Sequence, residues 1–273
     1  MKRLAVFGAI SVLFLCPRFA AAIDPWDQTT GHVDDNSGTD NELASGSEQI
    51  HDLQAVGGTA DQDWYLIGQL PYSSYEVIVD GLTEPVASIP ATQTADPIQV
   101  DLVDSGGTLI NSGYAFSSIG AARSLRIRNT TAAEVTNQYI RVMTGTDGCT
   151  TTCGANAQYR ILQRETTLLL PRFNNSGTQT TVLILQNGSN NSITVTARFW
   201  SATGTLLASS ASTSIAAHGA LVLPTQTVSG ANGQSGTVTI DHTGRYGTVT
   251  GKGVALEPST GFTFDTVIVP KFN

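Results

Sequence analysis

Short apolar segments separated by turn-forming residues run the length of this chain, and no window of a dozen residues carries a helical stripe. In the first part, Asp63–Ile67, Tyr75–Val79, Ile98–Val103, Arg123–Arg128, Tyr139–Met143 and Tyr159–Leu162 read as strands. Arg123–Arg128 alternates cleanly: Leu125 and Ile127 share one face, and arginines the other. In the second part, Leu168–Leu170, Val182–Leu185, Ile193–Phe199, Ala220–Leu223, Val238–Ile240, Val254–Leu256 and Phe262–Phe264 repeat the style. Turn signals such as Asp104-Ser105-Gly106-Gly107, Asp147-Gly148 and Asn187-Gly188 punctuate them. With 40% hydrophobic and only 13% charged residues, the 273-residue chain is not of disordered composition. The expectation is an all-β protein of two tandem β-sandwich domains.

The N-terminus predicts a secretory signal peptide over 1–22: a basic start at Lys2 and Arg3, an apolar run from Leu4 to Cys16, and Ala20-Ala21-Ala22 at a cleavage site. The apolar run falls short of the about 20 residues a membrane span needs, and no other stretch reaches it. The expected location is therefore extracellular or periplasmic, after cleavage near Ala22. Cleavage removes Cys16 and leaves Cys149 and Cys153, which in an oxidising compartment read as a disulfide pinning a turn. Zinc is disfavoured at this pair, since a structural site needs four ligands and no histidine lies near in sequence.

Charge divides the remainder. Residues 23–165 hold 19 acidic and six basic side chains, whereas 166–273 hold three acidic and five basic ones. The shift places a domain boundary near residue 165. The acidic excess argues against nucleic acid, which calls for clustered Lys and Arg. The opposite charges of the two parts also suggest head-to-tail self-association, one molecule's second domain meeting another's first. A further feature is an echo: Leu170-Pro171-Arg172-Phe173-Asn174 near the start of the second domain resembles Val269-Pro270-Lys271-Phe272-Asn273 at its end. Either the first and last strands of that domain lie side by side, proline fitting a strand end or edge, or the match is chance.

From residue 34 to 162 the order of features resembles the bacterial pre-peptidase C-terminal domain, a β-sandwich appended to secreted proteases and other exported proteins. The matching residues are Asp34-Asp35-Asn36, Asp40-Asn41-Glu42, Asp61-Gln62-Asp63-Trp64-Tyr65, Tyr75-Glu76-Val77, Asp104-Ser105-Gly106-Gly107-Thr108-Leu109 and Tyr159-Arg160-Ile161. The Asp-x-Asp-Trp-Tyr element is the most specific of these. The resemblance implies an accessory role, and for some members calcium. Carried over by residue, the Ca2+ ligands would be Asp34, Asp35, Asn36, Asp40, Asn41, Glu42, Asp61 and Asp63. Ca2+ takes six to eight oxygens, which two acidic clusters brought together could supply. The alternative is a solvated linker and strand cap. Trp64 and Tyr65, as strand neighbours, point to opposite faces, and core packing is the favoured use of at least one.

Catalytic patterns are weak. The segments around His218 and Ser235 are faintly similar to those of trypsin-like proteases, but only 17 positions separate them and Asp241 follows both. Nucleophile-elbow, zinc-protease, phosphate-loop and dinucleotide motifs are missing from the sequence. The expectation is a non-catalytic binding or adhesion module for a protein or glycan ligand. The alternatives are a structural subunit of an extracellular assembly and, more weakly, a hydrolase of unrecognised type.

Overall fold

A computed structural model describes residues 34–53, 61–81, 99–112, 123–143 and 158–271. The predicted signal peptide and the Cys149–Cys153 pair lie outside the described residues. The strands are β1 (Glu48–Asp52), β2 (Gln62–Gln69), β3 (Ser73–Gly81), β4 (Gln99–Asp104), β5 (Leu109–Ser112), β6 (Arg123–Asn129), β7 (Val135–Met143) and β8 (Gln158–Glu165). There follow β9 (Leu168–Asn174), β10 (Thr180–Asn187), β11 (Ile193–Trp200), β12 (Leu206–Ser209), β13 (Thr213–Ile215), β14 (Ala220–Pro224), β15 (Ser235–His242), β16 (Val249–Glu257), β17 (Phe262–Val267) and β18 (Val269–Pro270).

β1 to β8 form two antiparallel sheets, ordered β1-β8-β3-β6 and β2-β7-β4-β5. Their inner faces share one core, with Tyr65, Ile67, Val100, Leu102, Ile140 and Val142 from one sheet meeting Tyr75, Val77, Leu125, Ile127, Tyr159 and Ile161 from the other. The period of two explains the assignment: Leu125 and Ile127 are buried, while Arg126 and Arg128 take the opposite face. β9 to β18 build a second pair of sheets, β12-β11-β15-β9-β18 with β13 added to β11, and β14-β10-β16-β17. These close over a separate core around Phe173, Phe199, Leu183, Leu185, Val238 and Ile240. The all-β sandwich expectation holds for both halves. Among the described residues no helix is long and apolar enough to cross a membrane.

Trp64 and Tyr65 do take opposite faces of β2, and both are buried. Tyr65 enters the main core, while Trp64 packs with Val103 and Tyr139 in a small cluster on the outer face. The sequence echo has a structural counterpart: β18 is the edge strand beside β9, with Val269 opposite Leu169 and Pro270 opposite Leu168. The pair runs antiparallel, and Lys271 N–H donates to Thr167 O at 2.8 Å as the chain leaves the edge.

The two sandwiches meet on the outer face of the sheet containing β11 and β15. The connection is taut: Thr166 N–H donates to Ser74 O at 2.7 Å, and Ser74 N–H to Thr167 Oγ1 at 2.9 Å. Arg128 reaches from β6 to Asp241 at 2.6 Å, and Arg198 donates to the other oxygen of the same carboxylate. Tyr72 packs its ring edge-on to Trp200 at 5.9 Å between centroids and lies under the Arg198 guanidinium at 4.4 Å.

Candidate functional site

Two places stand out: a buried polar cluster at one end of the first sandwich, and an exposed strand edge on the second.

The cluster is assembled from three segments. Residues 34–43 run alongside β2: Trp64 N–H donates to Asp34 O at 2.7 Å, Leu66 N–H to Asn41 O at 2.8 Å, and Leu43 N–H to Leu66 O at 3.0 Å. Asp63 and Tyr65 share the inner face of β2 by strand alternation. β1 brings His51, which lies opposite Tyr159 in the β1–β8 register. Tyr159 donates its hydroxyl to Asp63 Oδ2, and the Tyr65 hydroxyl joins the Tyr159 oxygen at 2.5 Å. Burial, reinforced by the charge of Asp63, holds the Tyr159 phenol well above its ordinary pKa, so it stays a donor. The His51 ring packs edge-on to Tyr65 at 4.9 Å.

Within this setting one ligand atom each from Asp34, His51 and Asp63 lies within 4.8 Å of the others, and all three residues are buried. His51 Nδ1 is 4.0 Å from Asp34 Oδ2.

Of the eight residues proposed as calcium ligands, the structure brings Asp34 and Asp63 together. Asp35 instead accepts from Gln62 N–H at 3.4 Å, and Asn36 closes a local turn on Gly38 N–H at 2.8 Å. Asp40 and Glu42 are exposed, and Asp61 is buried without joining the three-residue group. Among the described residues the converging set is one imidazole nitrogen with two of the eight, Asp34 and Asp63, and a third of the eight, Asn41, is buried nearby.

His51 was not legible as a site residue. It sits in Glu-Gln-Ile-His-Asp, a strand without apolar alternation, and its role depends on pairing with β8, more than 100 residues away.

The second place is β17, the edge of its sheet. Phe262 and Phe264 are 67% and 65% exposed, and Val267 is 67% exposed. Ile268 N–H donates to Gly251 O at 3.2 Å. With strand alternation, that bond turns the peptide groups of Phe262, Phe264 and Thr266 toward β16 and leaves those of Thr263, Asp265 and Val267 facing outward. Beside the edge lies a groove of about 400 Å³ between β9 and β16–β17, with Gly253, Ala255 and Phe264 along it and Arg172, Asn174 and Asp265 at its rim. Gly253 is essential to the shape, because a Cβ there would press into Leu170 at 2.8 Å.

The residues weighed for a catalytic triad have other uses. His218 sits in the β13–β14 turn with its ring bonded to Asn190 at 2.9 Å, and Asp241 is held by two arginines. Ser235 opens β15 opposite Asn174. No family model matches the chain, and no curated protein matches its sequence.

Proposed function

We propose that this chain is an exported, non-catalytic binding or adhesion module that takes an extended segment of a protein partner along β17. One observation carries the reading: an edge strand whose two phenylalanines are about two-thirds exposed, beside an open groove. Edge strands with outward peptide groups are templates for strand addition, and proteins with no use for such an edge blunt it with charge, proline or a covering loop. β17 has one charge, Asp265, already paired to Lys252 at 2.6 Å. The added strand would bond the peptide groups of Thr263, Asp265 and Val267, and an apolar side chain would rest on Phe264. The likeness of residues 34–162 to pre-peptidase C-terminal domains supports an accessory role on an exported protein.

A second reading, a subunit of an extracellular assembly, is favoured by the sequence of the edge itself. Two copies pairing antiparallel with Phe264 on the two-fold axis set Phe262 opposite Thr266 and Asp265 opposite Thr263, so aromatic rings meet and no like charges do. The test is the double variant Phe262→Ser/Phe264→Ser. It should keep the wild-type melting temperature, since both rings are exposed, and lose at least tenfold in binding to the surface fraction of the producing cells. Equal binding by both proteins would overturn the proposal. Light scattering after size exclusion separates the readings: a wild-type dimer that the double variant abolishes favours self-pairing, and a strict monomer favours a foreign partner.

A further inference from the structure

We propose that Asp34, His51 and Asp63 form a binding site for a divalent first-row transition ion of the Zn2+ or Mn2+ class. The inference is independent of the β17 edge, which belongs to the other sandwich.

The tautomer of His51 is the first support. Gln49 donates its side-chain N–H to Glu42 O at 2.8 Å, which turns its Oε1 toward the ring. His51 Nε2 lies 2.9 Å from that oxygen and so carries the hydrogen. Nδ1 is then the atom presented to Asp34 and Asp63. A remote partner that fixes the second ring nitrogen is the usual support of a metal-bound histidine.

Distance is the second. At 4.0 Å, Nδ1 and Asp34 Oδ2 are too far apart for a hydrogen bond. They suit two donors on one ion, since bonds of about 2.0–2.2 Å allow up to roughly 4.2 Å between opposite donors. The longest separation in the group, within 4.8 Å, closes with a shift of several tenths of an ångström.

Burial is the third. Asp34 and Asp63 are both 0% exposed, and a divalent ion between them offsets part of the cost of holding two carboxylates out of water.

Asn41 is the fourth. It is 1% exposed, and among the described residues neither of its side-chain polar atoms has a hydrogen-bond partner. The parallel bridge of Glu42 with Leu66 fixes its direction. Glu42 shares the outer face with Leu66, so Asn41 and Leu43 turn inward, Asn41 at the level of Tyr65, whose ring packs against His51. A buried amide oxygen there can complete a coordination sphere or bond a metal-bound water.

The nitrogen donor decides the class of ion. Imidazole with carboxylates suits Zn2+ and its first-row neighbours, whereas Ca2+ selects an all-oxygen set.

The experiment is calorimetric titration of the chelator-stripped full chain with Zn2+, Mn2+ and Ca2+, with melting temperatures alongside. One equivalent of Zn2+ or Mn2+ should bind and raise the melting temperature, while Ca2+ at the same concentration does neither. Gln49→Leu keeps all three ligands and should weaken binding about tenfold by freeing the ring. His51→Gln should weaken it further. Folded wild-type protein that takes up no ion, binds Ca2+ as tightly, or binds equally well after a folded His51→Gln exchange overturns the proposal. If His51→Gln does not fold, Co2+ added to the wild-type chain decides: d–d bands shifted and intensified over those of aqueous Co2+ support the site, and the unchanged spectrum of the aqueous ion overturns it.

Discussion

His242 shows how one buried side chain ties stability to pH. It ends β15 at the junction of the sandwiches, where its backbone N–H donates to Ser74 Oγ at 3.2 Å and its Nδ1 accepts from Gly244 N–H at 3.1 Å. Burial pushes its pKa down from 6.5 to about 4. Between those values the unfolded chain holds a proton that the folded chain refuses, so stability rises with pH across that window. The contribution is complete above the unfolded value and is lost as pH falls toward the folded one. At about 1.4 kcal/mol per unit, it reaches up to roughly 3 kcal/mol. Denaturant unfolding between pH 7.5 and 4 should therefore show a slope that His242→Gln largely removes; parallel curves for the two proteins would refute the assignment. His242 lies just beyond the apolar segment Val238–Ile240 in sequence, and nothing in that segment announces its burial. The same limit applies to the Asp34–His51–Asp63 group. Sequence shows which acids are near one another along the chain, whereas this group forms because residue 34 lies over Trp64 and β1 pairs with β8.

Strands were readable where both alternation and apolar residues were present. β2, β3, β4, β6, β7 and β8, and in the second half β9, β10, β11 and β14 to β17, fall on the expected segments. β1, β5, β12 and β13 were missed because they are short, polar or at sheet edges, where one partner strand rather than a core decides pairing. The turn at Asp104 was legible for a chemical reason: its Oδ1 accepts from Gly106 N–H at 2.9 Å and Thr108 N–H at 2.8 Å, the local bonding that aspartate offers a loop. Gly236 belongs to a subtler class. It stands at the register shift between β15 and β9, and a Cβ there would collide with the Trp200 carbonyl of β11. No neighbour in sequence announces this, since the obstacle is another strand's backbone. Gly236→Ala should cost at least about 2 kcal/mol, the scale of overpacking against atoms that cannot yield. Thermal melting checks it, with Gly233→Ala as a contrast, whose cost comes from its positive φ of 74° alone because its Cβ would meet nothing within 4 Å. Equal losses at both positions would contradict the close approach.

On the scale of the molecule, the charge difference between the halves takes on a different meaning. Sequence suggested that it would be used between molecules. In the structure one pair follows it within the molecule, Lys271 of the second half bonding Glu165 of the first at 3.2 Å, while another runs the opposite way, Arg128 of the first half bonding Asp241 of the second at 2.6 Å. Asp241 is 0% exposed and holds two guanidiniums at once, Arg128 across the junction and Arg198 within its own sheet. Removing one partner of a buried charge network leaves the rest desolvated and unbalanced, at about 3–5 kcal/mol. Asp241→Ala should therefore destabilise strongly. Arg128→Ala is the more telling change, because Asp241 keeps Arg198 and each sandwich keeps its own core, so the loss falls on the contact between the halves. Differential scanning calorimetry of the wild-type chain should give one transition. The Arg128→Ala chain should give two, the lower one below the wild-type peak. A single unshifted transition in the variant would mean that the taut Thr166–Thr167 connection to Ser74, and the Tyr72 ring between Trp200 and Arg198, hold the halves together without this ion pair.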